Sequence, residues 1–135
     1  DNTAKVDELM KYTSIVLLDI KHIDDEEHKK LTKHSNKNIL EFARYLSNIK
    51  KPMWVRHVVV PGITYKEEYL TRLGEFLATL HNIAALDVLP YHDMAIPKYD
   101  SMGIEYPLKG VSSLKHDEAI KARNIILKAY KANRK

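Results

Sequence analysis

Apolar residues run along this chain in two alternating rhythms. Short β-branched or aliphatic runs alternate with stretches in which apolar positions recur every three or four residues. Those are the signatures of strands and of amphipathic helices. Residues 3–12 predict a first helix with Val6, Leu9 and Met10 on one side. Residues 14–20 predict a strand with four consecutive apolar positions, Ile15 to Leu18, as expected of a parallel strand covered on both faces. Residues 24–32 read as a short helix with acids in its first turn and Lys29 and Lys30 later, an order that suits the helix dipole. Residues 38–48 form a stronger helical pattern through Ile39, Phe42, Ala43 and Leu46, with Asn38 as N-cap and Glu41 three residues on.

A second strand spans 53–60 and closes at the turn dipeptide Pro61-Gly62. Thr64 and Glu67 have capping-box spacing for a helix over 65–80, with Tyr69, Leu73, Phe76, Leu77 and Leu80 inward. A third strand covers 83–89, and a last helix, 114–132, buries Ala122, Ile125, Ile126 and Ala129. Between them, residues 91–113 carry Pro97, Gly103, Pro107 and Gly110. A connection that long inside a compact domain is usually functional.

Strand–helix units in succession predict an α/β fold of class parallel sheet with right-handed crossovers, in one domain over 1–135. Three strands leave two unprotected edges and are too few to close a barrel. The pattern is that of a part of something larger.

Composition narrows the chemistry. With 135 residues, 44% of them hydrophobic, the chain can build a real core. It has no cysteine, hence no disulfide, no thiolate nucleophile and no thiolate-bound metal or iron–sulfur cluster of its own. No apolar run approaches the ~20 residues of a membrane span, and the polar N-terminus lacks a signal-peptide pattern. A cytoplasmic location is the expectation. Basic and acidic residues number 22 and 18 and are interspersed, except at Lys121, Arg123, Lys128, Lys131, Arg134 and Lys135. Those read as a solvated helix face, and no basic stripe interleaved with aromatics points to nucleic acid. No His-Glu-x-x-His pattern and no glycine-rich phosphate loop occurs.

In parallel α/β folds, functional residues gather at the carboxyl ends of strands. The first strand delivers Asp19 and Lys21 there, the second Arg56 and the Pro61-Gly62 turn, the third Tyr91 and His92. Two residues apart on an extended chain, Asp19 and Lys21 point to one face. Together they suit a zwitterion, the carboxylate taking an amino or hydroxyl group and the ammonium a carboxylate. They equally suit an ion pair with one another. Arg56, inside an apolar strand, needs an anionic partner, either a ligand or a carboxylate such as Asp19. His92 opens the long connection and reads either as a hydrogen-bonding residue or as a site residue.

The segments Leu17-Leu18-Asp19-Ile20-Lys21, Trp54-Val55-Arg56-His57-Val58-Val59-Val60-Pro61-Gly62, Leu89-Pro90-Tyr91-His92 and Met102-Gly103-Ile104-Glu105-Tyr106, in this order and spacing, resemble the pyruvate formate-lyase activating enzymes. That family of radical S-adenosylmethionine enzymes activates glycyl-radical enzymes. The resemblance implies a partial (β/α) barrel with a 4Fe-4S cluster and S-adenosylmethionine at its open face. It implies contacts to S-adenosylmethionine from Asp19, Ile20, Lys21 and His92, and a monovalent cation near the Leu17 carbonyl and Asp19. It further implies a glycyl-radical enzyme such as pyruvate formate-lyase as partner and an electron donor such as flavodoxin. Arg56 falls on the substrate or cofactor face. The family's Cys-x-x-x-Cys-x-x-Cys motif is absent here, so the chain resembles the C-terminal half and, alone, is expected to be inactive. Lys98 and Tyr99, in the long connection, are candidate contacts to the partner protein.

Two other readings remain open at this point. Lys21 at a strand end also suits a Schiff-base aldolase, and the chain could be a docking domain without chemistry.

Overall fold

The computed structural model describes residues 2–12, 14–92 and 113–134. The long connection, with Lys98, Tyr99 and the segment 102–106, lies outside the described residues apart from its two ends. Helix α1 (Asn2–Lys11) leads into β1 (Val16–Asp19), followed by α2 (Asp25–Thr32) and α3 (Lys37–Asn48). Then come β2 (Met53–Val59), α4 (Glu67–Leu77), β3 (Ile83–Pro90) and α5 (His116–Asn133). The sheet is parallel throughout, in the order β1-β2-β3. Asp19, Arg56 and Asp87 stand side by side in the register of the three strands.

Burial alternates along β1 and β2 rather than filling both faces, whereas along β3 Ala84 is exposed and the other residues are half-buried. On β2, Met53, Val55, His57 and Val59 are buried, whereas Trp54 is 41% exposed and Arg56 and Val58 are half-buried. On β1, Leu18 is buried and Leu17 is 52% exposed. Period-two burial marks β1 and β2 as packed by helices on one side among the described residues. This corrects the expectation, drawn from four consecutive apolar residues, of a strand covered on both faces. The main core lies on the helix side, where Leu46, Leu70, Leu73, Leu77 and Ile126 meet Leu18 and Val55.

The helices keep their predicted places with changed ends and faces. On α1, Met10 is buried while Leu9 is 62% exposed. Helix α3 starts a residue early, with Asn36 rather than Asn38 at its N-cap, and no side-chain cap bond forms there. Asn36 is instead drawn inward, its amide donating to the His22 and Ile23 carbonyls at 3.2 and 2.8 Å. At α2 the side-chain cap forms, the Asp24 carboxylate accepting from the Glu27 N–H at 3.1 Å.

The expected Thr64–Glu67 capping box is absent, and α4 is capped at Lys66. The buried Thr64 hydroxyl accepts from the Val60 N–H at 2.6 Å and donates to the Val58 carbonyl at 3.3 Å, tying the turn back onto β2. Thr64→Val preserves the shape but orphans a buried N–H, so a loss of about 1–2 kcal/mol in urea unfolding is expected. Unchanged stability would show that this turn contributes nothing to the fold.

Candidate functional site

The candidate site lies at the carboxyl end of the sheet, on the face that no described helix covers. Strand alternation continues past the end of β1: Leu17, Asp19 and Lys21 face outward, while Leu18, Ile20 and His22 are buried on the helix side. Lys21 Nζ donates to Asp19 Oδ2 at 3.1 Å. The side chains are 52% and 42% exposed, so this pair adds less than about 1 kcal/mol and opens readily. The other carboxylate oxygen is different. Asp19 Oδ1 is buried and has no hydrogen-bond partner.

Arg56 stands next to Asp19 in register, yet among the described residues it forms no ion pair. Its expected structural partner, Asp19, is engaged by Lys21 instead. Asp87, on the far side of Arg56, accepts a hydrogen bond from Trp54 Nε1 at 2.9 Å. The face thus presents acid, base and acid across three strands, with one unpaired guanidinium at the centre. His92 is exposed and follows β3 at the same end of the sheet. The structure therefore joins Asp19 to Lys21, sets Arg56 beside them and places His92 two strands away.

Ile20 is positioned differently from an outward-facing contact residue. Its side chain is fully buried. Its N–H donates to the Arg56 carbonyl at 3.0 Å, and its carbonyl accepts from His57 Nδ1–H at 2.6 Å. Both peptide groups are spent within the fold, so Ile20 supports its neighbours.

Buried histidines were the residues that motif spacing missed. His22 Nε2–H donates to the Ile63 carbonyl at 3.1 Å, its Nδ1 accepts from the Asp24 N–H at 3.0 Å, and its ring meets the Tyr69 ring edge-on at 4.5 Å. Burial lowers the pKa of His22 and of His57, so both are neutral near pH 7. The only signal for them was parity, since His57 falls on an inward position of β2 and His22 keeps the inward alternation past the end of β1. Among the described residues, no group of three or more His, Asp or Glu is placed to hold a metal ion. No helix among them is long and apolar enough to cross a membrane.

No protein-family model matches the chain. It is 48% identical over 122 residues to a pyruvate formate-lyase-activating enzyme of Streptococcus mutans, a match covering 90% of this chain and 46% of that protein. The chain is homologous to part of the pyruvate formate-lyase-activating enzymes. A relative of the same name from Staphylococcus epidermidis is 50% identical over 115 residues, 85% of this chain and 45% of that protein. The chain therefore spans a little under half the length of these activating enzymes. Its fold is also that of a solved domain of a pyruvate formate-lyase-activating enzyme from Bacteroides vulgatus, with a TM-score of 0.75 at 23% identity, covering 95% of this chain and 70% of that one.

Proposed function

We propose that the chain forms the C-terminal part of an S-adenosylmethionine-dependent activating enzyme, and that the uncovered carboxyl end of its sheet is one wall of the cofactor cradle. The observation that carries this reading is the Asp19–Lys21 pair with its buried, unpartnered Oδ1, next to Arg56, which forms no ion pair among the described residues. An amino-acid zwitterion needs a carboxylate for its ammonium and a cation for its carboxylate, and this corner offers both. A weak surface pair gives way to such a ligand at little cost, and the orphaned Oδ1 gains a donor or a monovalent cation. The names of the relatives, at about half identity, support the same reading.

In this reading Lys21 Nζ holds the cofactor carboxylate, Asp19 accepts from its ammonium, His92 orients the adenosyl end, and Arg56 adds positive charge to the cradle floor. When bound, a 4Fe-4S cluster and S-adenosylmethionine supply the one-electron chemistry that places a radical on a glycine of a partner such as pyruvate formate-lyase. The thiolates for the cluster come from outside these 135 residues, which contain no cysteine. Electrons come from a flavodoxin-type donor, and the 135 residues alone are inactive. A Schiff-base role for Lys21 is less well supported. That chemistry needs a desolvated amine, whereas Lys21 is exposed and bonded to Asp19.

The test is S-adenosylmethionine affinity in the full activating enzyme carrying this chain. Lys21→Ala and His92→Ala should each weaken binding by about 1–3 kcal/mol, the range for a lost charged hydrogen bond. Calorimetric titration showing parental affinity in both variants would overturn the reading.

A further inference from the structure

Lys21 is the outward residue of a segment held firmly on both sides. Immediately before it, the Ile20 peptide is bonded at N–H and carbonyl to consecutive residues of β2, Arg56 and His57. Immediately after it, the fully buried His22 is fixed through both ring nitrogens. The His22 carbonyl is fixed in turn by the Asn36 amide, which is itself buried. A chain leaving a strand ordinarily gains freedom with its first unpaired residue. Here the exit from β1 has five hydrogen bonds within three residues, four of them made by the side chains of His57, His22 and Asn36 on the helix side. Nothing in the packing of Lys21 itself, an exposed side chain, calls for such restraint.

We propose that His57, His22 and Asn36 are positioning residues that fix the backbone on either side of Lys21, so that its ammonium and the Asp19 carboxylate are presented together in the geometry a zwitterionic ligand requires. The proposal rests on the cofactor reading above and deepens it. Preorganisation of this kind acts by removing the ordering cost that a mobile lysine would incur on binding. His57 acts from below through the Ile20 carbonyl, His22 and Asn36 from the far end. None of the three faces the ligand side of the sheet.

A double-mutant cycle on S-adenosylmethionine affinity in the full activating enzyme separates positioning from general support of the fold. His57→Leu, which removes the donor to Ile20, should raise Kd about tenfold. His57→Asn, whose amide occupies the place of Nδ1–H, should stay within about threefold of the parent. In a Lys21→Ala background, His57→Leu should change Kd by less than about twofold, because the group it positions is gone. A tenfold loss that persists in that background overturns the proposal and leaves the cofactor reading standing. Parental affinity in Lys21→Ala overturns the proposal, and together with parental affinity in His92→Ala it overturns the cofactor reading as well. Should His57→Leu fail to fold, Asn36→Ala enters the same cycle with the same expected pattern and the same overturning result.

Discussion

Gly74→Val is expected to lower stability by about 3 kcal/mol or more, beyond the usual range for overpacking, because the obstruction is backbone rather than side chain. A Cβ at Gly74 would lie 2.3 Å from the Ile126 carbonyl oxygen, 2.7 Å from Ala129 Cβ and 3.1 Å from the Tyr130 nitrogen. None of these can rotate away. Helices α4 and α5 must move apart, and with them the contact that joins Leu73 and Leu77 to Ala122 and Ile126. Gly74→Ala is the sharper comparison. In an exposed helix that change gains roughly 1 kcal/mol, so a net loss on introducing alanine isolates the close approach as the cause. Urea unfolding of both variants checks this, and an alanine variant as stable as the parent would exclude a tight crossing at Gly74.

Most of the architecture was legible because it rests on periodicity. Three aliphatic runs and the helical spacing in 38–48 and 65–80 set the order of elements, and each of those elements formed, with shifted ends. The helix caps were less legible. Capping-box spacing at Thr64 lost to a local competitor, since the hydroxyl bonds the Val60 N–H and no longer has a helix to cap. The N-cap lies at Asn36 rather than Asn38, and the Asn36 amide donates to buried carbonyls of the β1 exit. Four apolar residues in β1 suggested two covered faces, yet Leu17 and Trp54 remain largely open. An aliphatic side chain is compatible with a face that something else covers, and sequence alone does not say what.

The site was legible to the extent that its residues sit at strand ends. Asp19, Lys21 and Arg56 were found by that rule, and the register then placed them together. Ile20 came from the family resemblance alone, and its peptide groups are bonded to β2. Asp87 was missed because an acid inside an apolar run carries no motif, and its meaning depends on a cross-strand neighbour. The supporting histidines were missed for a related reason. A histidine used as a buried neutral donor has no characteristic spacing, only an inward position in its strand.

Those histidines should make stability fall on mild acidification, as pH drops through the ordinary histidine value of 6.5. Burial lowers the pKa of His22 and His57 below the ordinary value of 6.5. Below pH 6.5 the unfolded chain takes up protons that the native state refuses, so stability rises with pH across this window and is lost as pH falls. One histidine fully unprotonated in the fold contributes up to about 1.4 kcal/mol at pH 5.5. For His22 the refusal has a direct structural cause. Its Nδ1 is an acceptor for the Asp24 N–H, and a proton there would set two donors against each other. Hydrogen bonds lower the carboxylate pKa values of Asp24, through Arg72, and of Asp25, through Ser35. Their contribution is lost only below about pH 4, so the two windows do not overlap. Urea unfolding as a function of pH should therefore flatten between 5.5 and 7 in a His22→Gln, His57→Asn double variant. A slope as steep as the parent's in that variant would assign the acid sensitivity to other groups.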